Sequence, residues 1–506
     1  MALANFFDKV SLGAAQILQG FDRTKFEEIL LSHRIMVFYD DSASISFEGK
    51  ATLDLLIRLL SRLYPNIQIY NSDSNSLVSE LEVLAKAINP DIELSKSFSP
   101  TICIVVGNTK SLFEVPTFYI GSNNWIAHFS QSKPVGSGHS NNPFASGAVA
   151  CFGAANIFRT VFAEQLPYSK NDEEFSFSLL EFTTDNNFYN PEIGEINIDE
   201  TVLVGLGAIG NGVVWALSKL PKIEGSLILV DHEPIELSNL QRYILADQNS
   251  IDKKKVDIAN VFLQHTSLKI HPVPSNWNDY ITARASWNIK SVAVCVDSAE
   301  DRIEVQGALP KKIFNAWTQQ EDIGVSRHIH FVESACLCCL YFPTDEKKSI
   351  SQEIADSLNF IGIQEERIIR DYLANNKMID EWILNLIAQK NNIQIEDLRF
   401  TVGKSLHIFY HEVVCGGRFM KLKNGADGSP QKIEVPSAFE SALAGILLAI
   451  EIVNNTSHHR KTNLSTVTRF NLLRPLSPYI NFEENKKPNC ICNDAIFQKS
   501  YLDTWN

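Results

Sequence analysis

The chain has 506 residues, of which 45% are hydrophobic and 21% charged, so it is long enough for several globular domains and is not a disordered, collagen-like or coiled-coil protein. Its 45 basic and 59 acidic side chains give a formal net charge of −14, which argues against a dedicated nucleic-acid or membrane-surface binder. No apolar run reaches the roughly 20 residues of a membrane span, and the N-terminus does not resemble a signal peptide. Nine cysteines, mostly late in the chain, indicate metal or thiol chemistry in a reducing cytoplasm rather than a disulfide framework.

The first half of the chain alternates predicted helices and strands. Residues 1–32 are predicted to be helical, residues 33–43 to form a strand closed by acidic residues, and residues 101–108 to form a buried strand. The half closes with an apolar helix rich in small residues over 142–162. This alternation predicts an α/β layer fold.

A second α/β unit follows a polar, turn-rich segment that we interpret as a linker, residues 171–197. It opens at TVLVGLGAIG (201–210), where a β-branched strand runs into a glycine-rich loop. Residues 346–415 change to a charged, helical pattern with few strand signals, which predicts a helical insertion. Further strands are predicted at SLILVD and SVAVCVD, and a last apolar helix at PSAFESALAGILLAIEIVN.

Two helices with similar sequences indicate an internal duplication. SGAVACFGAANIF (146–158) and SALAGILLAIEIV (441–453) share a pattern of small residues followed by bulky ones, although small-residue helices are also common in protein cores. The first half has no glycine-rich loop after its opening strand. We therefore predict one working site and one degenerate copy.

The glycine-rich loop predicts a nucleotide site. Gly205 allows the tight turn, Gly207 lets the backbone approach a phosphate, and Gly210 lets the following helix pack on the strand. Asp231 ends the next strand, where an acidic residue is expected to meet the ribose hydroxyls.

The residues that follow favour ATP over a dinucleotide. Asn239, Arg242 and Lys255 come after the loop, and Asp297 ends the strand SVAVCVD. Two cations and one carboxylate around a phosphate loop suit a triphosphate with Mg²⁺. In the alternative interpretation, Lys255 belongs to a solvated lysine run and Asp297 is a helix N-cap.

Taken together in this order and spacing, VGLGAIG, VDHEPIELSNLQR, Lys255 and VDSAEDR resemble the ThiF/MoeB/HesA adenylation fold of ubiquitin-activating enzymes. The resemblance covers about residues 198–345 and 430–495, whereas the first half resembles the inactive half of two-lobed activating enzymes in outline. It departs from the family at Tyr243, usually Gln, and at Asp252, usually Gly.

The resemblance implies a role for each site residue. Asp231 would bind the ribose, Asn239, Arg242 and Lys255 would hold the phosphates, and Asp297 would hold Mg²⁺. Arg242 and Asp297 would thus take part in catalysis together with an acceptor cysteine.

Two cysteine pairs are predicted to close one zinc site. Cys336 and Cys339 form a C-x-x-C motif, and Cys490 and Cys492 a C-x-C motif that is one residue shorter than is usual in the family. Buried cysteines without a metal are the alternative. A closed four-cysteine site would be structural, and Cys338 is an additional sulfur beside it.

Cys415 is the predicted acceptor thiol. It stands apart in YHEVVCGGRFM, where two glycines leave the backbone sterically open to a bulky peptide terminus. In activating enzymes the acceptor lies in such an insertion and attacks the acyl-adenylate as a thiolate. The alternative is a buried cysteine that ends a strand, with His411 on the same face. Cys338 competes for the same role.

Three further candidates are secondary. His328 and His330 alternate on a predicted strand and could line the entry of a peptide tail, but a plain half-buried strand is the more ordinary explanation. Arg23 is the nearest candidate by position for an arginine that completes the triphosphate site, and a surface arginine is the alternative. Cys103, Cys151 and Cys295 are expected in the core.

We therefore predict an α/β protein with two Rossmann-like adenylation lobes, the first degenerate and the second active, and a helical catalytic-cysteine insertion. The predicted boundaries are 1–170 for the inactive lobe, 171–197 for the linker, 198–345 and 416–506 for the two parts of the active domain, and 346–415 for the insertion. The last part carries the second half of the zinc site.

The implied function is ATP-dependent activation of the C-terminal carboxylate of a ubiquitin-like protein, with ATP, Mg²⁺ and Zn²⁺, followed by thioester transfer to a cysteine. The two-lobed organisation resembles BilD-type bacterial enzymes of antiphage ubiquitin-like conjugation operons. The implied partners are a ubiquitin-like protein with a C-terminal glycine and a conjugating enzyme, with a homodimer left open and neither nucleic acid nor membrane expected. The alternatives are a ThiF/MccB-like adenylyltransferase without a thioester step and a pseudoenzyme scaffold.

Overall fold

A computed structural model of the chain describes residues 3–71, 77–94, 99–185, 187–319, 322–342, 349–415, 436–457 and 459–505. Within these ranges the side chains of residues 363, 411, 412 and 415 lie outside the described part. The chain divides into two compact units. The larger comprises Met1–Ala4, Leu30–Phe342 and Pro436–Asn506, and the smaller comprises Asn5–Ile29 and Pro343–Val435.

The first lobe of the larger unit is built on a seven-stranded sheet. Its strands are β1 (Ile35–Tyr39), β2 (Asn66–Asn71), β3 (Glu93–Leu94), β4 (Ile102–Val106), β5 (Thr117–Asn123), β6 (Ile126–Ser130) and β7 (Glu174–Ser178). Its helices are α3 (Asp41–Ile45), α4 (Phe47–Leu60), α5 (Leu77–Ile88) and α6 (Pro143–Val161). The spatial order is β3-β2-β1-β4-β5-β6-β7, parallel as far as β5 and antiparallel from there on.

The second lobe is built on an eight-stranded sheet. Its strands are β8 (Ile196–Val204), β9 (Ile223–Val230), β10 (Ser267–Val273), β11 (Ser291–Val294), β12 (Lys312–Thr318), β13 (Ile323–His328), β14 (Val467–Phe470) and β15 (Asn481–Phe482). Its helices are α7 (Ala208–Ser218), α8 (Lys255–Leu263), α9 (Trp277–Ala283), α10 (Ala299–Gly307), α11 (Leu337–Leu340), α16 (Ala438–Ser457) and α17 (Ala495–Trp505). The order is β10-β9-β8-β11-β12-β13-β14-β15, with antiparallel pairing from β13 on.

The two sheets share one topology. In each, the third strand along the chain lies at an edge and is followed in space by the second, first, fourth, fifth, sixth and seventh strands. Helix α6 follows the β5–β6 hairpin, and α16 occupies the corresponding place after the β12–β13 hairpin. These are the two helices with matching sequences. The predicted duplication and the two-lobed α/β fold are therefore confirmed.

The smaller unit is helical, as predicted for the insertion. Its helices are α1 (Phe7–Ile17), α2 (Arg23–Ser32, which crosses the boundary between the units), α12 (Ile350–Ser357), α13 (Ile363–Ala374), α14 (Glu381–Asn391) and α15 (Leu406–Phe409), with 3-10 turns at Ile395–Thr401 and a π-helical turn at Tyr410–Cys415. An apolar core that includes Leu358, Ile383 and Phe409 holds the inserted helices together.

Two predicted boundaries need correction. The N-terminal helices were assigned to the first lobe, but residues 5–29 group with the insertion, and within them the rings of Phe7 and Phe26 stack on each other. The predicted linker 171–197 contains β7, the last strand of the first sheet, because EFSFS alternates aromatic and polar residues with the period of a strand.

Helices α7 and α16 pack closely in the core of the larger unit. A Cβ atom on Gly445 would lie 2.2 Å from the carbonyl oxygen of Ile209, so only glycine permits this approach. Helices α6 and α16 are long and apolar enough to cross a membrane, but 94% and 89% of their most apolar windows are buried inside the protein. They are therefore core helices in this fold.

Candidate functional site

The second sheet has a topological switch point between β8 and β11. The chain runs from β8 outward to β9 and β10, and then returns to β11 on the other side of β8. In open α/β sheets the crevice at the carboxyl ends of two such strands is where ligands bind. The glycine-rich loop follows β8, and Asp297 follows β11, so both predicted components of the site lie at this edge.

The three loop glycines lie at the turn from β8 into α7, and the backbone requires a glycine at two of them. Gly205 has a φ of +89°, and a Cβ atom there would lie 2.9 Å from the carbonyl of Cys295 at the end of β11. A Cβ atom on Gly210 would lie 2.4 Å from the carbonyl oxygen of Gly205. Gly207 is the N-cap of α7, so the loop passes into a helix N-terminus that can face a phosphate.

Asp231 is engaged by the backbone on both carboxylate oxygens. Oδ2 accepts a hydrogen bond from the backbone N–H of Leu206 at 2.7 Å, and Oδ1 accepts one from that of Glu233 at 2.9 Å. The carboxylate thus fixes the glycine-rich loop. Each oxygen can accept a second hydrogen bond, so binding to a ribose stays a prediction compatible with this geometry.

The structure brings the two predicted phosphate-binding cations together around Tyr243. The Lys255 ammonium lies 5.2 Å from the centre of the Tyr243 ring, and the Arg242 guanidinium lies 5.5 Å from it. Nη1 of Arg242 is buried and has no hydrogen-bond partner within the part of the chain that the structure describes. A buried donor without a partner is costly, so an anionic ligand at this point would satisfy it.

Lys255 is a buried cation rather than part of a solvated lysine run. It is only 6% exposed, and its Nζ atom forms an ion pair with Glu233. Although burial lowers it, electrostatic interactions with Tyr243, Asp231 and Glu233 raise the pKa of Lys255 above its ordinary value. The side chain therefore keeps its positive charge at neutral pH.

Asn239 and Asp297 are placed differently. The Oδ1 atom of Asn239 accepts a hydrogen bond from the backbone N–H of Glu236 and caps the 3-10 turn Leu237–Gln241, so its amide nitrogen is the group left to approach a phosphate. Asp297 is exposed at the carboxyl edge. Arg302 holds its backbone, since Nη1 donates to the carbonyl oxygens of Asp297 at 3.1 Å and Ser298 at 3.2 Å. Ser298, not Asp297, is the N-cap of α10.

Three site residues were not identified from the sequence. Tyr243 was noted only as a departure from the family pattern, although its ring lies against both cations. Glu233 pairs with Lys255, and Asn211 connects the glycine-rich loop to the chain segment after Arg242. The sequence offered one signal for Asn211: it is a polar residue directly after the third glycine of the loop, in a helix that is otherwise apolar.

The corresponding switch point of the first sheet is blocked by a carboxylate. Asp40 follows β1, and its side chain accepts hydrogen bonds from the backbone N–H groups of Asn108 at 2.7 Å and Ala43 at 3.2 Å. A Cβ atom on Gly107, which follows β4, would lie 2.2 Å from the Asp40 carboxylate. A carboxylate thus occupies, at the switch point of the first sheet, the place that the glycine-rich loop occupies in the second sheet.

The four predicted zinc ligands converge. The Sγ atoms of Cys336, Cys339, Cys490 and Cys492 all lie within 4.8 Å of one another, and all four residues are buried. A tetrahedral zinc site with bonds of about 2.3 Å needs sulfur atoms roughly 3.8 Å apart, so the cluster is compatible with zinc. Cys338 is buried beside this cluster.

Replacing Cys490 with serine should remove bound zinc and destabilise the second lobe, because metal-binding energy at a closed site is folding energy. Elemental analysis should show one zinc per wild-type chain and almost none in the variant, and the variant should unfold at a lower temperature. Cys151→Ala, which alters a buried cysteine of α6, should keep its zinc. Zinc-free wild-type protein whose melting temperature does not change with a chelator would refute the site.

The other candidates fall outside this arrangement. Cys415 ends the turn Tyr410–Cys415, which is helical and not the strand of the alternative interpretation. The side chains of Cys415 and His411 lie outside the described part of the chain.

His328 is a core residue. Its Nδ1 atom lies 2.9 Å from the carbonyl oxygen of Ala335, its Nε2 atom lies 2.9 Å from the hydroxyl oxygen of Ser326, and burial lowers its pKa to about 4. Its proposed place at a tail entry is therefore wrong. His330 is exposed.

The structure gives Arg23 ion-pair partners in its own unit and places the remaining cysteines in the core. The Arg23 guanidinium forms ion pairs with Asp8 at 2.7 Å and Glu27 at 3.1 Å, so a role at the triphosphate stays a prediction. Cys103, Cys151 and Cys295 are buried, as expected, and burial raises the pKa of each thiol. None of these three presents a reactive thiolate.

Two family models match the chain. The ThiF family matches residues 190–492, and the prokaryotic E2 family C matches residues 38–163. Uncharacterized protein y4jF from Sinorhizobium fredii (strain NBRC 101917 / NGR234) is 41% identical over 507 residues, which cover 99% of this chain and 97% of that protein.

Among solved structures, similarity is found to Escherichia coli MccB. The crystal structure of MccB with MccA-N7isoASN has a TM-score of 0.34 and 15% sequence identity, over 58% of this chain and 67% of that chain. The structure of MccB with AMPCPP and SeMeT MccA has a TM-score of 0.33 and 15% identity, over 58% and 66%. The ThiF match, by contrast, spans more than half of the chain, including the glycine-rich loop and the four-cysteine cluster, so the protein belongs to the ThiF family of E1-like adenylation enzymes.

Proposed function

We propose that the chain activates the C-terminal carboxylate of a ubiquitin-like protein, first as an acyl-adenylate made with ATP and then as a thioester on Cys415. The observation that carries the first step is the pair Arg242 and Lys255 beside the glycine-rich loop. Arg242 is partly exposed, but its Nη1 atom is buried and unpartnered among the described residues, and Lys255 is a buried ammonium. Both are suited to bind a triphosphate.

In the first half-reaction a carboxylate oxygen of the partner attacks the α-phosphorus of ATP, and pyrophosphate leaves. Arg242, Lys255 and the N-terminus of α7 would neutralise the charge on the phosphates, while Asp231 holds the loop and the ribose. Asp297 would hold Mg²⁺, because an exposed carboxylate at this edge is the kind of ligand that Mg²⁺ prefers. When bound, Mg²⁺ supplies positive charge that screens the phosphates.

In the second half-reaction the Cys415 thiolate attacks the carbonyl carbon of the acyl-adenylate, and AMP leaves. Its position in the sequence supports this assignment, since it belongs to the helical unit whose second segment, Pro343–Val435, is inserted in the chain between β13 and α16. The thioester would then pass to a conjugating enzyme. The first lobe is not a second adenylation site, because Asp40 blocks its switch point.

The match of the first lobe to a prokaryotic E2 family does not supply another acceptor thiol. The cysteines within residues 38–163 are Cys103 and Cys151, and both are buried with raised pKa values. A thioester on either would require the sheet or α6 to open. We therefore assign the acceptor role to Cys415 alone.

ATP–pyrophosphate exchange tests the first half-reaction directly. Purified protein is mixed with ATP, labelled pyrophosphate and a panel of ubiquitin-like proteins that end in Gly-Gly. Each is matched with a version that lacks the terminal glycine. Exchange should occur with an intact partner and disappear with its shortened version. Absence of exchange with every intact partner, in protein that also fails to bind ATP, would refute the proposal in favour of a scaffold.

A further inference from the structure

The degenerate first lobe holds the segment that follows Arg242 in the second lobe. Arg62, just after α4, donates from Nη2 to the carbonyl oxygens of Tyr243 at 2.7 Å and Ala246 at 2.6 Å. Arg58, on α4, donates from Nη1 to the carbonyl oxygen of Ile244 at 3.0 Å. Three carbonyl groups of residues 243–246 are thus fixed by two arginines of the other lobe.

The same segment is fixed from its other side by the glycine-rich loop. Asn211 donates from Nδ2 to the carbonyl oxygens of Leu206 at 3.0 Å and Gly207 at 2.9 Å. Its Oδ1 atom accepts a hydrogen bond from the backbone N–H of Leu245 at 3.1 Å. Residues 243–246 therefore lie between the phosphate loop and the first lobe, with hydrogen bonds to both.

The position of this segment sets the position of the phosphate-binding cations. The Tyr243 ring lies against Arg242 and Lys255, and a Cβ atom on Gly207 would lie 3.4 Å from the Tyr243 hydroxyl oxygen. A shift of the Tyr243 backbone would move the ring away from both cations and from the loop. Interactions that hold charged groups in place before the ligand arrives increase affinity by reducing the cost of ordering them.

Burial of the Arg62 guanidinium is energetically unfavourable for a contact that would serve only the stability of the fold. It is 2% exposed, burial lowers its pKa to about 9, and it forms no ion pair within the described part of the chain. Its Nε atom has no hydrogen-bond partner there either. Burying such a charge destabilises the fold unless partners compensate it, and apolar packing often gives equal or greater stability. The positioning of two backbone carbonyls, those of Tyr243 and Ala246, is what the Arg62 guanidinium adds.

We infer that Arg62, assisted by Arg58, is a positioning residue of the nucleotide site. Through Arg62 the first lobe holds the Tyr243 backbone in place. The Tyr243 ring in turn keeps Arg242 and Lys255 in the arrangement that binds the triphosphate. The inference rests on the proposed function for its substrate, ATP. It gives the degenerate lobe a role in the chemistry of the active one.

Kinetics of Arg62→Gln test this inference. The KM for ATP in pyrophosphate exchange should rise about tenfold, the effect of losing about 1.4 kcal/mol of charged hydrogen bonding, while kcat should change much less. The matched control is Arg159→Gln, because Arg159 is an equally buried arginine of the first lobe whose partner is Asp172. That variant should lose stability but keep its KM. Equal KM values for wild type and Arg62→Gln would overturn the inference.

A double-mutant cycle distinguishes positioning from a general loss of stability. The measured quantity is the affinity for a non-hydrolysable ATP analogue. If Arg62 acts through Tyr243, Arg62→Gln should weaken this affinity much less in a Tyr243→Leu background than in the wild-type background. Full additivity would contradict the proposed route. If Arg62→Gln does not fold, Arg58→Gln takes its place in the same cycle, because Arg58 is more exposed than Arg62. Additivity with Tyr243→Leu would again contradict the proposed route. Because analogue binding needs no peptide partner, this result decides the inference even if no exchange is found.

Discussion

Asp297→Ala should lower ATP–pyrophosphate exchange by at least about 100-fold without unfolding the protein. The exposed side chain contributes nothing to the core, and Arg302 holds the backbone of Asp297 through its carbonyl oxygen, which the substitution leaves in place. Without the carboxylate, the charge of the triphosphate is met by Arg242 and Lys255 but not by a bound Mg²⁺. Exchange at saturating ATP and thermal unfolding of the same sample measure both quantities.

The matched control for this charge removal is Glu224→Gln. Glu224 is an exposed carboxylate near the amino end of β9, at the opposite edge of the same sheet. The substitution Glu224→Gln changes the net charge by the same amount as Asp297→Ala and should leave ATP–pyrophosphate exchange at the wild-type rate. Full exchange by Asp297→Ala would show that the carboxylate is not part of the ATP site. Equal losses in both variants would indicate a general electrostatic effect instead.

The local parts of the site could be predicted from the sequence. Gly205, Gly207 and Gly210 follow from the steric needs of a strand–turn–helix connection, and such needs are visible within a few residues. The order of strands and helices, together with the matching sequences of α6 and α16, also sufficed for the duplicated α/β fold. The four cysteines converge as their two motifs indicated, even though the second motif is one residue shorter.

The parts that could not be predicted depend on contacts between distant segments. The hydrogen bond from Arg62 to Tyr243 joins residues 181 positions apart, and no local pattern marks either of them. His328 was misjudged because alternation on a strand does not show which strand is central, and β13 lies between β12 and β14. The cap that the Asn239 oxygen forms on the turn Leu237–Gln241 was not foreseen either, and phosphate binding by its amide nitrogen stays a prediction.

The blocked switch point of the first lobe connects these observations. Asp40 occupies the switch point of the first sheet, and α4 of the same lobe supplies Arg58, which donates to the carbonyl oxygen of Ile244 in the second lobe. Trp215 on α7 donates from Nε1 to Asp54 of α4 at 2.7 Å, so the helix that follows the phosphate loop is also held by the first lobe. The first lobe therefore contacts both the helix that follows the glycine-rich loop and the segment that follows Arg242.

Cys415→Ala should abolish the covalent adduct with the partner while leaving ATP–pyrophosphate exchange intact. The groups that we propose to bind ATP are the glycine-rich loop, Asp231, Arg242, Lys255 and Asp297, and none of them needs this thiol. The adduct runs more slowly than the free enzyme on a non-reducing gel and disappears on treatment with a thiol reductant, because a thioester is cleaved by thiols. Wild type should show it only with ATP and an intact partner terminus.

Cys338→Ala is the parallel variant that guards against misassignment of the acceptor. Cys338 is the cysteine next to the zinc pairs that is not a member of the four-ligand cluster, and it is buried, so its loss should leave the adduct in place. An adduct that persists in Cys415→Ala but disappears in Cys338→Ala would move the acceptor to Cys338 and keep the function. If wild type catalyses exchange but forms no adduct with any partner, the enzyme releases the adenylate to another acceptor. It would then be an adenylyltransferase without a thioester step.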